Sequence, residues 1–122
     1  MAIYLGSNLV STVGGTTGSE KFTGTLASGI TRGDCFGVYD KTSNIVYLTF
    51  HFYHSANIQS SQTIFTIPEK YRPSSIVNGA AFYSTSSSPN AYICSLNASG
   101  QVYQTLGNTI RSGAGTIVYT LN

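Results

Sequence analysis

From Phe22 to the end of the chain, apolar and polar residues alternate in short runs separated by Gly, Asn, Ser and Pro, and no window carries a helical stripe. The period is two, so the chain reads as all-β. The clearest run is Ile45 to Tyr53, where Val46, Leu48, Phe50 and Phe52 share one face and Tyr47, Thr49, His51 and Tyr53 the other. The first face belongs to a core. The second is polar and aromatic, suited to solvent, an oligomer contact or a ligand platform. Phe36 to Asp40 precedes this run across Asp40-Lys41-Thr42-Ser43-Asn44, turn residues that predict a hairpin. Ile76 to Tyr83, Ala91 to Leu96, Gln101 to Leu106 and Thr116 to Leu121 read as further strands, with Asn97-Ala98-Ser99-Gly100 as a second hairpin turn. Ser55 to Gln62, Ser84 to Asn90 and Gly107 to Gly115 read as loops, the second of them a place for a variable, partner-facing tip. About seven or eight closely spaced strands predict an antiparallel β-sandwich, jelly-roll-like.

One stretch fixes what happens on either side of it. Ile64 to Ile67 is an extended apolar run that ends at Pro68, which cannot donate to a ladder, and Pro73 pushes Arg72 towards extended geometry. The segment is a shaped corner, held by Tyr71 and Arg72 through stacking and hydrogen bonds. Upstream, Ile3 to Val10 is a short strand broken by Gly6-Ser7-Asn8, and Ser11 to Glu20 is a Gly, Thr and Ser rich arm. The expected division is therefore an arm over 1–21 and a sandwich domain over 22–122.

Composition narrows the function. Charged residues are 8% of the 122, against about 25% in an average protein, so hydroxyls, amides and backbone must carry solubility. Such a surface suits neutral polar partners. A net charge of +2 from scattered basic residues gives no stripe for a phosphate backbone, so nucleic acid is excluded. No apolar run reaches the length of a membrane span, and the N-terminus lacks the pattern of a signal peptide. Cys35 and Cys94 read as buried free thiols. Catalysis is poorly supplied: glycoside hydrolysis needs two facing carboxylates, and of Glu20, Asp34, Asp40 and Glu69 the first lies in the arm and the third in a turn. His51 and His54, three apart on a strand, point to opposite faces and cannot chelate one ion, so no metal or other cofactor is expected. Arg32-Gly33-Asp34 reads as an ordinary turn before a strand.

Ile67-Pro68-Glu69-Lys70-Tyr71-Arg72-Pro73 resembles the Leu-Pro-x-Gly-Tyr-Arg-Pro signature of C-terminal tip domains in bacteriophage tail-fibre and receptor-binding proteins. Asn44 to Leu48 and Ile93 to Val102 are similar to the strands and turn that flank it there, so the resemblance covers residues 36 to 122. Ile67 stands where Leu is usual and Lys70 where Gly is usual. The resemblance implies a homotrimer about a three-fold axis, made in the host cytoplasm and carried on the virion as part of a phage tail. It also implies partners: other tail proteins and a bacterial cell-surface glycan, bound without catalysis. Tyr offers a flat apolar face for a sugar ring, and Asn and Arg complete its hydroxyl contacts. Tyr83, Asn90, Tyr92, Tyr103 and Arg111 are the candidate glycan site on these grounds. An alternative is a structural trimerisation or attachment module with no receptor site of its own.

Overall fold

The computed structural model describes residues 18–84, 89–104 and 110–121. Its elements are β1 (Ser19–Thr23), β2 (Thr25–Leu26), β3 (Arg32–Asp40), β4 (Ile45–Tyr53), β5 (Phe65–Thr66), a 3-10 turn (Glu69–Tyr71), β6 (Val77–Ser84), β7 (Pro89–Leu96), β8 (Gln101–Gln104) and β9 (Ser112–Thr120). The strands form one antiparallel sheet in the order β1-β3-β4-β9-β6-β7-β8-β5-β2. β1 and β2 are consecutive in the chain yet stand at opposite ends of that order. The run they share pairs with β3 through its first half and with β5 through its second, and the Gly24 N–H between them donates to the Cys35 carbonyl at 2.9 Å. The sheet thus curls until it nearly closes, which removes most of the edge that so few charges leave unprotected.

Alternation decides what lies inside. Val46, Leu48, Phe50 and Phe52 of β4 are buried while Tyr47, Thr49, His51 and Tyr53 are exposed. Phe50 meets Phe65 of β5 across the interior, ring centroids 5.9 Å apart. The β3–β4 hairpin has the expected turn, with Asn44 at φ 61. Cys35 and Cys94 are free and buried, and burial pushes their thiols up to about 12 and about 11.

Two loop expectations are corrected. β9 begins at Ser112, because Gly113 and Gly115 serve by size: a Cβ at these positions would stand 3.0 Å from the Phe52 ring and 2.8 Å from the Phe50 ring. They leave room for aromatic rings from β4. β7 begins at Pro89, with Ser84 opposite Pro89 and Tyr83 opposite Asn90, so Asn90 lies on a strand. The rest of that loop lies outside the described residues.

The proline corner has the expected shape. Arg72 is extended at φ −79, ψ 140, and Lys70 occupies a 3-10 turn that requires no positive φ. Arg72 Nε donates to the Ile67 carbonyl at 3.0 Å, and the Ile67 N–H donates to Gly100 of the β7–β8 turn at 2.9 Å. Tyr71 stacks on Phe22 of β1, with centroids 4.1 Å apart and planes 8° apart, while its carbonyl accepts from the Tyr119 hydroxyl.

Glu20 is where the arm expectation changes. It belongs to β1, opposite Tyr39, and the sheet takes in Ser19 to Lys21. Its carboxylate accepts from the Tyr71 hydroxyl at 2.8 Å and meets Lys70 at 2.9 Å and Lys41 at 3.2 Å. These contacts, Lys70 first, then Tyr71 and Lys41, hold its pKa at about 2 instead of 4.5. A lowered folded-state value contributes stability that is fully present above the unfolded value and is lost as pH falls through the folded one. Glu20 therefore contributes to acid unfolding between pH 4.5 and about 2. Thermal melts across that window are expected to fall less steeply for Glu20→Gln than for the parent, and parallel curves would reject the assignment.

Candidate functional site

The outward side chains form rows across the sheet. In one row Val38, Tyr47 and Val118 lie side by side on β3, β4 and β9, with Phe36 next along β3. All four are exposed, as are Phe82 on β6 and Ile93 on β7. Large apolar side chains adjacent to one another on a water-facing sheet mark an interaction surface.

Towards the opposite end of β4 the outer face changes character. Arg32 lies opposite Tyr53, which lies opposite Ser112; Asp34 lies opposite His51, which lies opposite Ala114, and Ala114 opposite Phe82. The Arg32 guanidinium carbon is 4.5 Å from the centre of the Tyr53 ring. His51 Nε2 is 3.3 Å from Asp34 Oδ2, and both side chains are well exposed, 60% and 63%. Arg32, Gly33, Asp34, His51, Phe52 and Tyr53 line a shallow depression of about 390 Å³. Arg32-Gly33-Asp34 is thus no turn: it opens β3, and alternation puts Arg32 and Asp34 outside with Gly33 between them facing in. A Cβ on Gly33 would reach within 2.5 Å of the His51 carbonyl oxygen, so the glycine lets β3 lie close on β4.

The expected site residues do not form one surface. Tyr83 and Tyr92 share the inward face with Ala81 and Cys94, and their rings meet edge to face at 5.0 Å and 72°. Tyr92 is 8% exposed, its hydroxyl has no partner among the described residues, and burial raises its pKa. Its ring offers no open face to an outside ligand. Asn90 stands opposite Tyr83 in the β6–β7 hairpin. Arg111 is exposed just before β9; its Nε donates to Asn57 Oδ1 at 3.1 Å and its carbonyl accepts from the His54 N–H at 2.6 Å. These four lie towards the end of the sheet that carries Tyr53. Tyr103 does not: it pairs with Ser95, far along β7 from Asn90. The cluster of Arg32, Asp34, His51 and Tyr53 was legible only in part, through the polar aromatic face of β4.

The chain matches no family model and no curated protein. Its fold does match solved structures. The receptor binding protein of Listeria phage PSA aligns with a TM-score of 0.57 at 19% identity, over 85% of this chain and 66% of that one. A raptor adenovirus 1 fibre head, in a β-hairpin-deleted form, aligns with a TM-score of 0.49 at 10% identity, over 84% of this chain and 98% of that one. This chain therefore shares its antiparallel β architecture with a phage receptor-binding protein, of whose length it spans just under two thirds.

Proposed function

We propose that this chain is a host-attachment head domain of a bacteriophage tail, which binds a bacterial surface saccharide without catalysis and acts as a homotrimer. The observation that carries this reading is the fold likeness to a phage receptor-binding protein over 85% of the chain. The proline corner, built around Tyr71 and Arg72 as the resemblance implies, supports it. Two of the four carboxylates have structural partners, which supports a non-catalytic role: Glu20 is engaged by Lys41, Lys70 and Tyr71, and Asp40 accepts from the Thr42 N–H at 3.0 Å within its own turn. Neighbouring copies would cover the patch of Phe36, Val38, Tyr47 and Val118, and three weak sites held together gain affinity through avidity.

Light scattering after size exclusion is expected to give three times the chain mass, and labelled protein is expected to decorate host bacteria and their purified wall polysaccharide. Failure to bind either overturns the receptor reading. The same apolar patch also suits an attachment module, which predicts a stoichiometric complex with another tail protein and no binding to cells.

A further inference from the structure

We propose that the shallow depression across the β3–β4 ladder, at its Arg32 end, is the saccharide site and takes one neutral sugar ring; this rests on the attachment reading. Only β3 and β4 build it. Alternation puts Arg32 and Asp34 outside on β3 and His51 and Tyr53 outside on β4, so two cross-strand pairs stand over the Gly33 and Phe52 backbone. Arg32 lies over Tyr53, and Asp34 beside His51. Two residue rises, about 7 Å, separate the pairs along the strands, and a ring standing in that gap meets both at about van der Waals contact. The depression measures about 390 Å³, near the lower end of the range of about 300–1,000 Å³ for small-ligand sites, which suits one ring. Its end is pinned. The Ser55 N–H donates to Thr31 Oγ1 at 3.0 Å, Thr31 Oγ1 lies 3.2 Å from His54 Nδ1, and the His54 N–H donates to the Arg111 carbonyl. These bonds tie the entry to β3 to the exit from β4, so little ordering is left to be done on binding.

The polar groups complement a sugar. Arg32 makes no ion pair among the described residues, so its guanidinium, anchored over Tyr53, keeps N–H donors for ligand oxygens. Asp34 is an acceptor for hydroxyl protons, held by His51 directly across the ladder. A donor and an acceptor about 7 Å apart along β3 reach hydroxyls at the two sides of one ring. With His51 neutral the two charges cancel, so the depression attracts neither anions nor cations strongly, which selects a neutral sugar over an acidic one. The groove over β9, lined by Thr49, Ala80, Phe82, Ala114 and Thr116 among others, is a separate feature: it shares no residue with the depression and carries no charged side chain. It serves as the control.

The test uses the whole chain as wild type, Arg32→Ala, Asp34→Asn and the control Phe82→Ala, with melting temperature and solution mass measured beside binding. Arg32 and Asp34 are exposed, so melting temperature and mass are expected to hold in their variants. Methyl glycosides of neutral hexoses and N-acetylhexosamines, at millimolar concentration, are expected to displace labelled wild type from host cells and to shift the NMR signals of His51 and Tyr53. Affinity for the glycoside that competes best is expected to fall about tenfold or more in Arg32→Ala and in Asp34→Asn, the usual effect of losing a hydrogen bond to a charged group, and to hold in Phe82→Ala. Undiminished affinity in the first two variants, or an equal loss in Phe82→Ala, overturns the depression and leaves the attachment reading standing. Competition by uronic acids or sugar phosphates alone overturns the neutral class. Cells bound while neither glycosides nor wall polysaccharide compete overturn the saccharide class. A wild-type chain that binds neither cells nor any glycoside removes both readings.

Discussion

Tyr71→Ala is expected to lower the unfolding free energy by about 3–5 kcal/mol, the range for deleting a large buried aromatic side chain. Tyr71 does three jobs at once. Its ring lies flat on Phe22 at 4.1 Å and tilts against Tyr39 at 6.0 Å, so alanine leaves a cavity between the corner and β1. Its hydroxyl donates to Glu20, and without it the carboxylate keeps only Lys70 and Lys41, both partly exposed. Its backbone carbonyl accepts from Tyr119, a bond that depends on the corner holding its shape. Urea denaturation at fixed protein concentration checks this, since self-association makes apparent stability depend on concentration. The midpoint should drop with little change in slope. Tyr71→Phe separates the parts: it keeps the stack, loses the hydroxyl and is expected to cost about 1 kcal/mol. A Tyr71→Ala loss as small as the Phe variant's would mean that the stack contributes nothing.

The residues behind these effects also show how far the sequence could be read. The β3–β4 hairpin was legible because Val46 to Phe52 alternate without interruption and Asn44 tolerates the left-handed conformation it adopts, φ 61. The corner was legible because proline restricts its own φ and that of its neighbour. Closure of the sheet was not, since Ser19-Glu20-Lys21 looks like a continuation of a polar arm and becomes a strand by pairing with Val38 to Asp40 of β3, where Lys41, Lys70 and Tyr71 engage Glu20 from elsewhere in the chain. Gly113 and Gly115 misled for a related reason: a glycine required by a ring on the facing strand has the same letter as one required by a turn. Side-chain parity at the candidate glycan site was not legible. Tyr83 and Tyr92 have side-chain chemistry suited to a sugar, yet the burial of Ala81 and Cys94, of the same parity, fixes their face as the inward one. Arg32 and Asp34 had the outward parity, which showed only once β3 was known to start at Arg32.

Gly37→Val is expected to be as damaging as any single change to the closure, about 3 kcal/mol or more, combining overpacking with a lost aromatic stack. Gly37 faces Phe22 across the β1–β3 ladder, and a Cβ there would stand 2.0 Å from Phe22 Cζ and 2.4 Å from Cε1 and Cε2. The ring cannot move away, because Tyr71 lies against it. A larger side chain at 37 must therefore expel Phe22, break the stack and loosen β1, with Glu20 losing its register against Lys70. This makes the effect conditional on Phe22, which a double-mutant cycle can measure. In a Phe22→Ala background the clash is gone and valine suits a strand, so Gly37→Val should cost about 1 kcal/mol or less. The coupling between positions 22 and 37 is then about 2 kcal/mol. Additive losses would mean that Gly37 is needed for its backbone alone, and that Phe22 does not close the sheet by filling the space a side chain would take.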